Sequence, residues 1–281
     1  MKKHSLLRRK IIDGVIKILS GMAALSGIAA LAWILFVVLK KGLGAINWDF
    51  FTQLPVPPGM EGGGLANAIL GTFLMIALAI LLGVPTGFLA GIYLSEFGQN
   101  NKFGEIIRFS TNVIMGVHSI IVGLFVYTLM VVPMGHFSGY AGAVSLAIIM
   151  LPVMARTTED MLTLVPNELR ESALALGAPR WKVTLNIVSR AAKKGLITGS
   201  MLAIARVSGE TAPLLFTALN SPYWAKSLNQ PTGNLTVTIF NYAMSPYHNW
   251  QKMAWGASFL IMMGVLFITL AARGVLRERV K

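Results

Sequence analysis

The sequence contains no cysteine among its 281 residues. This absence excludes a disulfide framework and any thiolate metal site. Charge is also scarce, because charged residues make up 12% of the chain, about half of their share in soluble domains. Acidic residues are the rarer kind, with 11 aspartates and glutamates against 24 lysines and arginines. The composition therefore argues against a soluble globular protein.

The motifs of common catalytic and cofactor sites are also missing. The sequence has no Gly-x-x-x-x-Gly-Lys-Ser/Thr phosphate loop, no His-Glu-x-x-His zinc motif and no nucleophile elbow. The histidines are scattered along the chain, at His4, His118, His136 and His248. We therefore predict a protein that is not an enzyme and holds neither cofactor nor metal, so that any ATP hydrolysis must come from another chain.

Apolar residues are abundant, at 55% of the chain with a mean hydropathy of +0.67. Six apolar runs are long enough, at about 1.5 Å per residue, to cross about 30 Å of hydrocarbon. We expect an all-α integral membrane protein with six transmembrane helices in a single domain over residues 1–281. The small residues of the fourth run predict close packing against another helix. The predicted spans are residues 18–39, 67–94, 109–132, 138–155, 195–220 and 253–272.

The distribution of lysine and arginine predicts the orientation of these spans. Six lie before the first span, two between the second and third, seven between the fourth and fifth, and four after the sixth. The opposite side carries only Lys40, Lys41, Lys226 and Lys252. Because short loops rich in lysine and arginine stay cytoplasmic, we predict that both termini are cytoplasmic. The cations flank spans and form no single basic face, so the net charge of +13 does not indicate nucleic-acid binding.

The largest predicted cytoplasmic element is residues 156–194, which we call the coupling segment. The stretch "VPNELRESALALGAPRWKVTLNIV" within it predicts two short helices. Gly177 separates them, because glycine readily adopts the left-handed conformation that ends many helices. Leu169, Ala173 and Leu176 recur at helical spacing and are expected on one face. That face can pack against the protein's own spans or enter a groove on another subunit, and the residues alone leave both open.

Two charges lie near the middle of the predicted span 195–220, at Arg206 and Glu210. An uncompensated arginine there costs about 3 kcal/mol or more on insertion, so some compensation is required. Glu210 follows four residues later and can face the same way on a helix. Pro213 lacks the N–H that would bond to the carbonyl of Gly209, which alters the helix nearby. The pair either only permits insertion or contacts a passing solute.

Four residues of the coupling segment carry the spacing of the EAA loop of binding-protein-dependent ABC importer permeases: Glu171, Ala173, Gly177 and Ile187. The chain resembles that family in this motif and in its position before the last two predicted spans. Ser172 replaces the first alanine of the motif, and Ser189-Arg190 replaces the Leu-Pro that usually follows the isoleucine. The resemblance implies that these four residues couple the chain to an ATPase.

Two further stretches, "ARVSGETAPLLFTA" at 205–218 and "GGGLANAILGT" at 62–72, resemble the phosphate-specific permease subunits of the PstA type. His118 stands where that pattern has proline, and we assign it no role. The resemblance implies a type I ABC importer permease fold that moves phosphate by alternating access across a bacterial or archaeal cytoplasmic membrane. It also implies partners: a second permease of the PstC type, an ATPase dimer of the PstB type and a phosphate-binding protein of the PstS type.

On this resemblance, the substrate path includes Arg206, which attracts the oxyanion, and Glu210, which restrains the arginine between turnovers. Three alternatives remain open at this point. The chain can be a permease for another oxyanion, a secondary transporter that uses the pair as an ion site, or a membrane scaffold without transport activity.

Overall fold

The computed structural model describes residues 3–276, and these residues form helices and no β-strand. Two π-helical segments, Tyr127–Val131 and Val183–Val188, interrupt the α-helical ones. In chain order, the α-helices are α1 (Lys3–Leu43), α2 (Trp48–Thr52), α3 (Ala66–Glu96), α4 (Lys102–Gly116), α5 (Ser119–Val126), α6 (Val132–Met134), α7 (Gly139–Thr163), α8 (Asn167–Ala175), α9 (Arg180–Lys182), α10 (Ser189–Ala191), α11 (Lys193–Ser208), α12 (Ala212–Thr217), α13 (Leu235–Ala243) and α14 (His248–Leu276).

Four of the six predicted spans coincide with continuous helices. Helices α1, α3, α7 and α14 are each long and apolar enough to cross a membrane. Helix α7 continues beyond the predicted end at residue 155 to Thr163, so the coupling segment begins inside a helix. Helix α4 together with residues Ser119–Met134 meets the same criterion as a bent pair. By length and composition, the described residues therefore supply four or five crossings.

The predicted span over residues 109–132 is not one straight helix. Helix α4 ends at Gly116, Val117 and His118 have extended backbones, and the next helical stretch leaves at an angle of 106°. Glycine is a poor helix former, which favours an end at this point. Arg108 of α4 also bonds to Glu159 of α7 over 2.6 Å. This attachment directs α4 across the end of α7 and out of line with α5.

The predicted span over residues 195–220 is not one continuous helix either. Helix α11 ends at Ser208 and α12 begins at Ala212. The 16 residues of α11 span about 24 Å at 1.5 Å per residue, which is less than the thickness of the hydrocarbon layer. Gly209 weakens the helix, and Pro213 cannot donate the hydrogen bond that would continue it.

The contact between α3 and α7 is the centre of the fold. Gly83, Gly87 and Gly91 recur every four residues along α3 and face α7, and a Cβ added at Gly87 would lie 2.5 Å from that of Met154. Small residues allow membrane helices to approach this closely. The small residues of α7 are buried, as predicted: Gly139, Ala141, Gly142, Ala143 and Ser145. Helices α11 and α12 both pack against α7, which therefore positions the functional residues described below.

Candidate functional site

The chain leaves the helical conformation between Arg206 and Pro213, which we call the broken segment. The last turn of α11 is tightened, because the N–H of Gly209 donates to the carbonyl of Arg206 at 3.3 Å and that of Glu210 to Val207 at 3.1 Å. These bonds span three residues where an α-helix spans four. Helix α12 then restarts with Pro213 in its first turn, where a missing N–H costs nothing.

Arg206 and Glu210 do not form the ion pair that their spacing permits. Within residues 3–276 the ion pairs are Lys17–Asp13, Arg108–Glu159, Arg156–Glu159, Arg156–Asp160 and Arg170–Glu96. Arg206 is exposed and Glu210 is partly buried. Helical spacing of four residues aligns side chains only while the helix continues, and α11 ends between these two. The charge of Arg206 is therefore uncompensated within the described part of the chain.

Neighbouring elements hold the broken segment in this shape. Thr236 of α13 donates its hydroxyl hydrogen to the carbonyl of Glu210 at 3.0 Å. Asn234 caps α13 and donates to the carbonyl of Leu219 at 2.9 Å, where the backbone has a left-handed φ of 56°. Helix α12 packs closely on α5, because Pro213 lies against Gly123. The position of Arg206 is thus determined by long-range contacts as well as by its own helix.

One face of α11 is left open by these contacts. Thr198, Leu202 and Arg206 are four residues apart and all exposed, whereas Gly199, Ala203 and Val207 on the adjoining face are buried. Leu202 is apolar and 68% exposed, and it lies one helical turn before the unpaired Arg206. This face combines a membrane-compatible surface with one positive charge, which suits contact with another subunit and with an anion.

The coupling segment forms the predicted pair of short helices. Gly177 has a φ of +79°, which confirms its left-handed conformation. Ala173 is buried at 7% exposure, and Ile187 packs against the same cluster, which includes Leu162 and Val188. Glu171 is exposed. The motif therefore has two residues that fix the segment to the protein and two, Glu171 and Gly177, that face outward.

The three residues predicted to share a face, Leu169, Ala173 and Leu176, differ in their burial. Ala173 packs inward, whereas Leu176 lies just after the end of α8 and is 89% exposed. Leu169 is 41% exposed, so the apolar residues beside Ala173 form an open surface on the coupling segment. The exposed apolar residues of this surface are Leu164, Leu169, Leu176 and Trp181.

Sequence reasoning missed Arg170, which attaches the coupling segment to the membrane helices. Its Nη2 donates to Oε1 of Glu96 at 2.9 Å and to the carbonyl of Leu162 at 2.7 Å, and its Nη1 donates to the carbonyl of Val165. Glu96 ends α3 and Leu162 lies in the last turn of α7. Arginine near a helix C-terminus satisfies carbonyls that have no intrahelical partner. Arg170 therefore joins α8 to both central helices.

A second arginine makes an equivalent connection. Arg108 of α4 donates to Glu159 of α7 and to two carbonyls at the end of α3, those of Leu94 at 2.7 Å and Gly98 at 3.1 Å. Arg156 lies 3.7 Å from the other oxygen of Glu159. No sequence motif pointed to these residues, although the sequence does place charged residues at the ends of the predicted spans.

Comparison with known proteins assigns the family. The family described as "Binding-protein-dependent transport system inner membrane component" matches residues 83–279, which contain both the coupling segment and the broken segment. The chain belongs to this family. It is therefore a subunit of a transport system and a multi-pass membrane protein.

Relatives with printed names extend over the whole chain. The "Phosphate transport system permease protein PstA" of Yersinia pestis is 45% identical over 278 residues, which are 99% of this chain and 94% of the relative. The "Probable phosphate transport system permease protein PstA" of Methanocaldococcus jannaschii is 36% identical over 281 residues, with 99% and 98% covered. The chain is thus similar to named phosphate permeases from both a bacterium and an archaeon.

Solved importer structures show the same fold. The MetNI methionine ABC transporter in an inward-facing conformation gives a TM-score of 0.61 at 21% identity, covering 76% of this chain and 93% of that one. A bacterial ABC transporter that imports the acidic polysaccharide alginate gives 0.63 at 15% identity, covering 90% and 94%. At these identities the likeness concerns the fold, which is that of a type I ABC importer permease.

Proposed function

We propose that this chain is the permease subunit of an ATP-driven ABC importer that moves inorganic phosphate by alternating access. The observation that carries this proposal is the end-to-end similarity to proteins named as phosphate transport permeases. The unpaired Arg206 supports it independently, because the fixed fork of guanidinium donors matches an oxyanion.

The proposed topology keeps six crossings in a single domain, with both termini in the cytoplasm of a bacterial or archaeal cell. Two of the crossings are not straight helices: α4 with α5 forms a bent one, and α11 with α12 a broken one. The excess of lysine and arginine on one side supports the orientation. Broken helices at membrane depth occur where they line a cavity, which agrees with a substrate path at the broken segment.

In the proposed substrate path, Arg206 binds the passing phosphate. The cost of an exposed arginine at this depth is about 3 kcal/mol or more, so a water-filled path or another subunit must compensate it. Glu210 is not positioned to restrain Arg206 in this conformation, because α11 ends between them. Restraint by Glu210 therefore belongs to another state of the transport cycle, in which α11 is longer or a side chain has moved.

The proposed partners are a second permease of the PstC type, an ATPase dimer of the PstB type and a phosphate-binding protein of the PstS type. The open face of α11 supports contact with the second permease, and the exposed Leu176 and Glu171 support contact with the ATPase. Ala173, Gly177 and Ile187 shape the coupling segment that makes this contact. Arg170 then transmits movement of α8 to α3 and α7.

The direct test is ATP hydrolysis by the reconstituted complex in proteoliposomes. Phosphate-loaded binding protein should stimulate hydrolysis and phosphate uptake, whereas sulfate-loaded or empty protein should not. A complex that responds to another oxyanion and ignores phosphate would replace the substrate assignment. Uptake driven by an ion gradient, with no ATP requirement, would overturn the importer mechanism itself.

A further inference from the structure

A shallow groove of about 360 Å³ lies beside the coupling segment, outside the proposed substrate path. It is formed by α3, the π-helical segment Val183–Val188 with α10, and the beginning of α11. Four of its lining residues are apolar: Phe88, Leu185, Leu196 and Ile197. Leu185 is 47% exposed, so part of this apolar wall is open to the surroundings.

The polar side of the groove carries only positive charge. Arg190 and Lys193 line it, both are exposed, and neither belongs to an ion pair within residues 3–276. No acidic residue of the described part of the chain lines it. Ser189 also lines the groove, and its buried hydroxyl has no hydrogen-bond partner within the same residues. The groove thus offers two cations and one unused donor.

Ser189 and Arg190 are two of the three residues at which the sequence departs from the EAA pattern, the other being Ser172. Leu-Pro at these positions would supply neither the positive charge nor the side-chain hydroxyl. The departure therefore supplies Arg190, one of the two cations of the groove, while Gly177 and Ala173 of the same motif keep their expected conformation and burial. The groove is accordingly a property of this chain that the coupling role does not require.

The groove also changes from charged to apolar along α11. Lys193 is the first residue of that helix, and Leu196 and Ile197 follow within one turn. Cations at the start of a membrane helix with apolar residues deeper along it match the profile of a bilayer boundary, where basic pockets bind anionic headgroups.

We propose that this groove binds the phosphate group of an anionic phospholipid from the cytoplasmic leaflet. Arg190 and Lys193 hold the headgroup, and the acyl chains lie along Leu185, Leu196 and Phe88. Free phosphate is the other source of the same chemistry, but an ion without acyl chains gains nothing from an apolar wall. The lipid uses both sides of the groove, and we therefore assign the groove to lipid.

The test is native mass spectrometry of the assembled transporter with phosphatidylglycerol or phosphatidylcholine added in equal amounts. Retained phosphatidylglycerol should fall about tenfold or more when Arg190→Gln is combined with Lys193→Gln, because each cation contributes separately to headgroup binding. The matched control is Arg180→Gln with Lys182→Gln, which removes the same charge from the same segment outside the groove and should retain the lipid. The exchange Arg190→Lys with Lys193→Arg should also retain it.

Three results would overturn the proposal. The first is that the groove variant retains phosphatidylglycerol at the original level. The second is that the control variant loses it equally, which would indicate a general attraction to positive charge. Displacement of phosphatidylglycerol by millimolar inorganic phosphate would assign the groove to the free ion. Failure of phosphate uptake by the complex would leave these lipid measurements unaffected, so the two proposals are tested separately.

Discussion

Arg170 of the coupling segment and Arg206 of the broken segment differ in their exposure and in their ion pairing. Arg170 is enclosed by a carboxylate and backbone carbonyls, with its side chain 16% exposed. Arg206 is exposed and has no ion pair within the described residues. The charge that holds elements together is satisfied inside the chain, whereas Arg206, the proposed anion contact, is left available to a ligand.

The largest effect should follow removal of the unpaired charge. Arg206→Gln should abolish phosphate uptake while the complex still assembles, because the substitution removes the anion contact and breaks no internal bond. Arg206→Lys should retain a small part of the activity, since it keeps the charge and loses the planar fork. Uptake of radiolabelled phosphate by cells, with subunit assembly checked by co-purification, measures both. Lys226→Gln, which removes an exposed cation elsewhere, should transport normally.

The exchange Arg206→Glu with Glu210→Arg sharpens the same point. It conserves net charge but moves the cation from the last turn of α11 to position 210, beyond the end of that helix. We expect loss of uptake with normal assembly. Uptake near the original level would mean that the two residues only balance each other's charge for insertion.

A smaller but structural effect is expected at Arg170. Arg170→Met leaves Glu96, which is 11% exposed, as an uncompensated carboxylate and should lower stability by about 3 kcal/mol. The thermal midpoint of the purified complex should fall, and stimulation of the ATPase should weaken. The double variant Arg170→Met with Glu96→Gln should recover part of the stability. If Arg170→Met alone were as stable as the original protein, Arg170 would have no structural role that distinguishes it from Arg206.

Gly177 should show a still smaller effect, limited to the coupling segment. A Cβ at this position meets no atom within 4 Å, so the cost of Gly177→Val is the left-handed backbone alone, about 1–2 kcal/mol. We expect transport to fall through displacement of α8, while membrane insertion is unchanged. Gly177→Asn is the matched control, because asparagine tolerates this conformation. Equal ATPase coupling in both variants would argue against a role for the turn.

The last prediction concerns topology and should leave transport unchanged. In this cysteine-free background, Glu61→Cys and Asn229→Cys should react with an impermeant thiol reagent in intact cells, and Ser172→Cys should not. All three positions are exposed, so the result reports the side of the membrane and not burial. Labelling of Ser172→Cys from outside, with Asn229→Cys protected, would invert the proposed orientation.

Much of the helical architecture was predictable from the sequence, because apolar length and helix-ending residues are local properties. The α3 and α7 spans and the left-handed Gly177 were predicted this way. The bend at Val117 was not, since it depends on Arg108 reaching Glu159, 51 residues away in sequence. The broken segment was signalled by Gly209 and Pro213, but only as an altered helix.

The sequence by itself determined that the chain is helical, membrane-embedded and asymmetric in charge, because these follow from composition and from the spacing of residues along one helix. Only the tertiary structure decided which charges are paired. Arg170 meets Glu96 across 74 residues of sequence, whereas Arg206 and Glu210, four residues apart, do not pair. The physical reason is that an ion pair requires both side chains to be brought together by packing, and the packing of α12 and α13 stabilises the break that separates the nearer two.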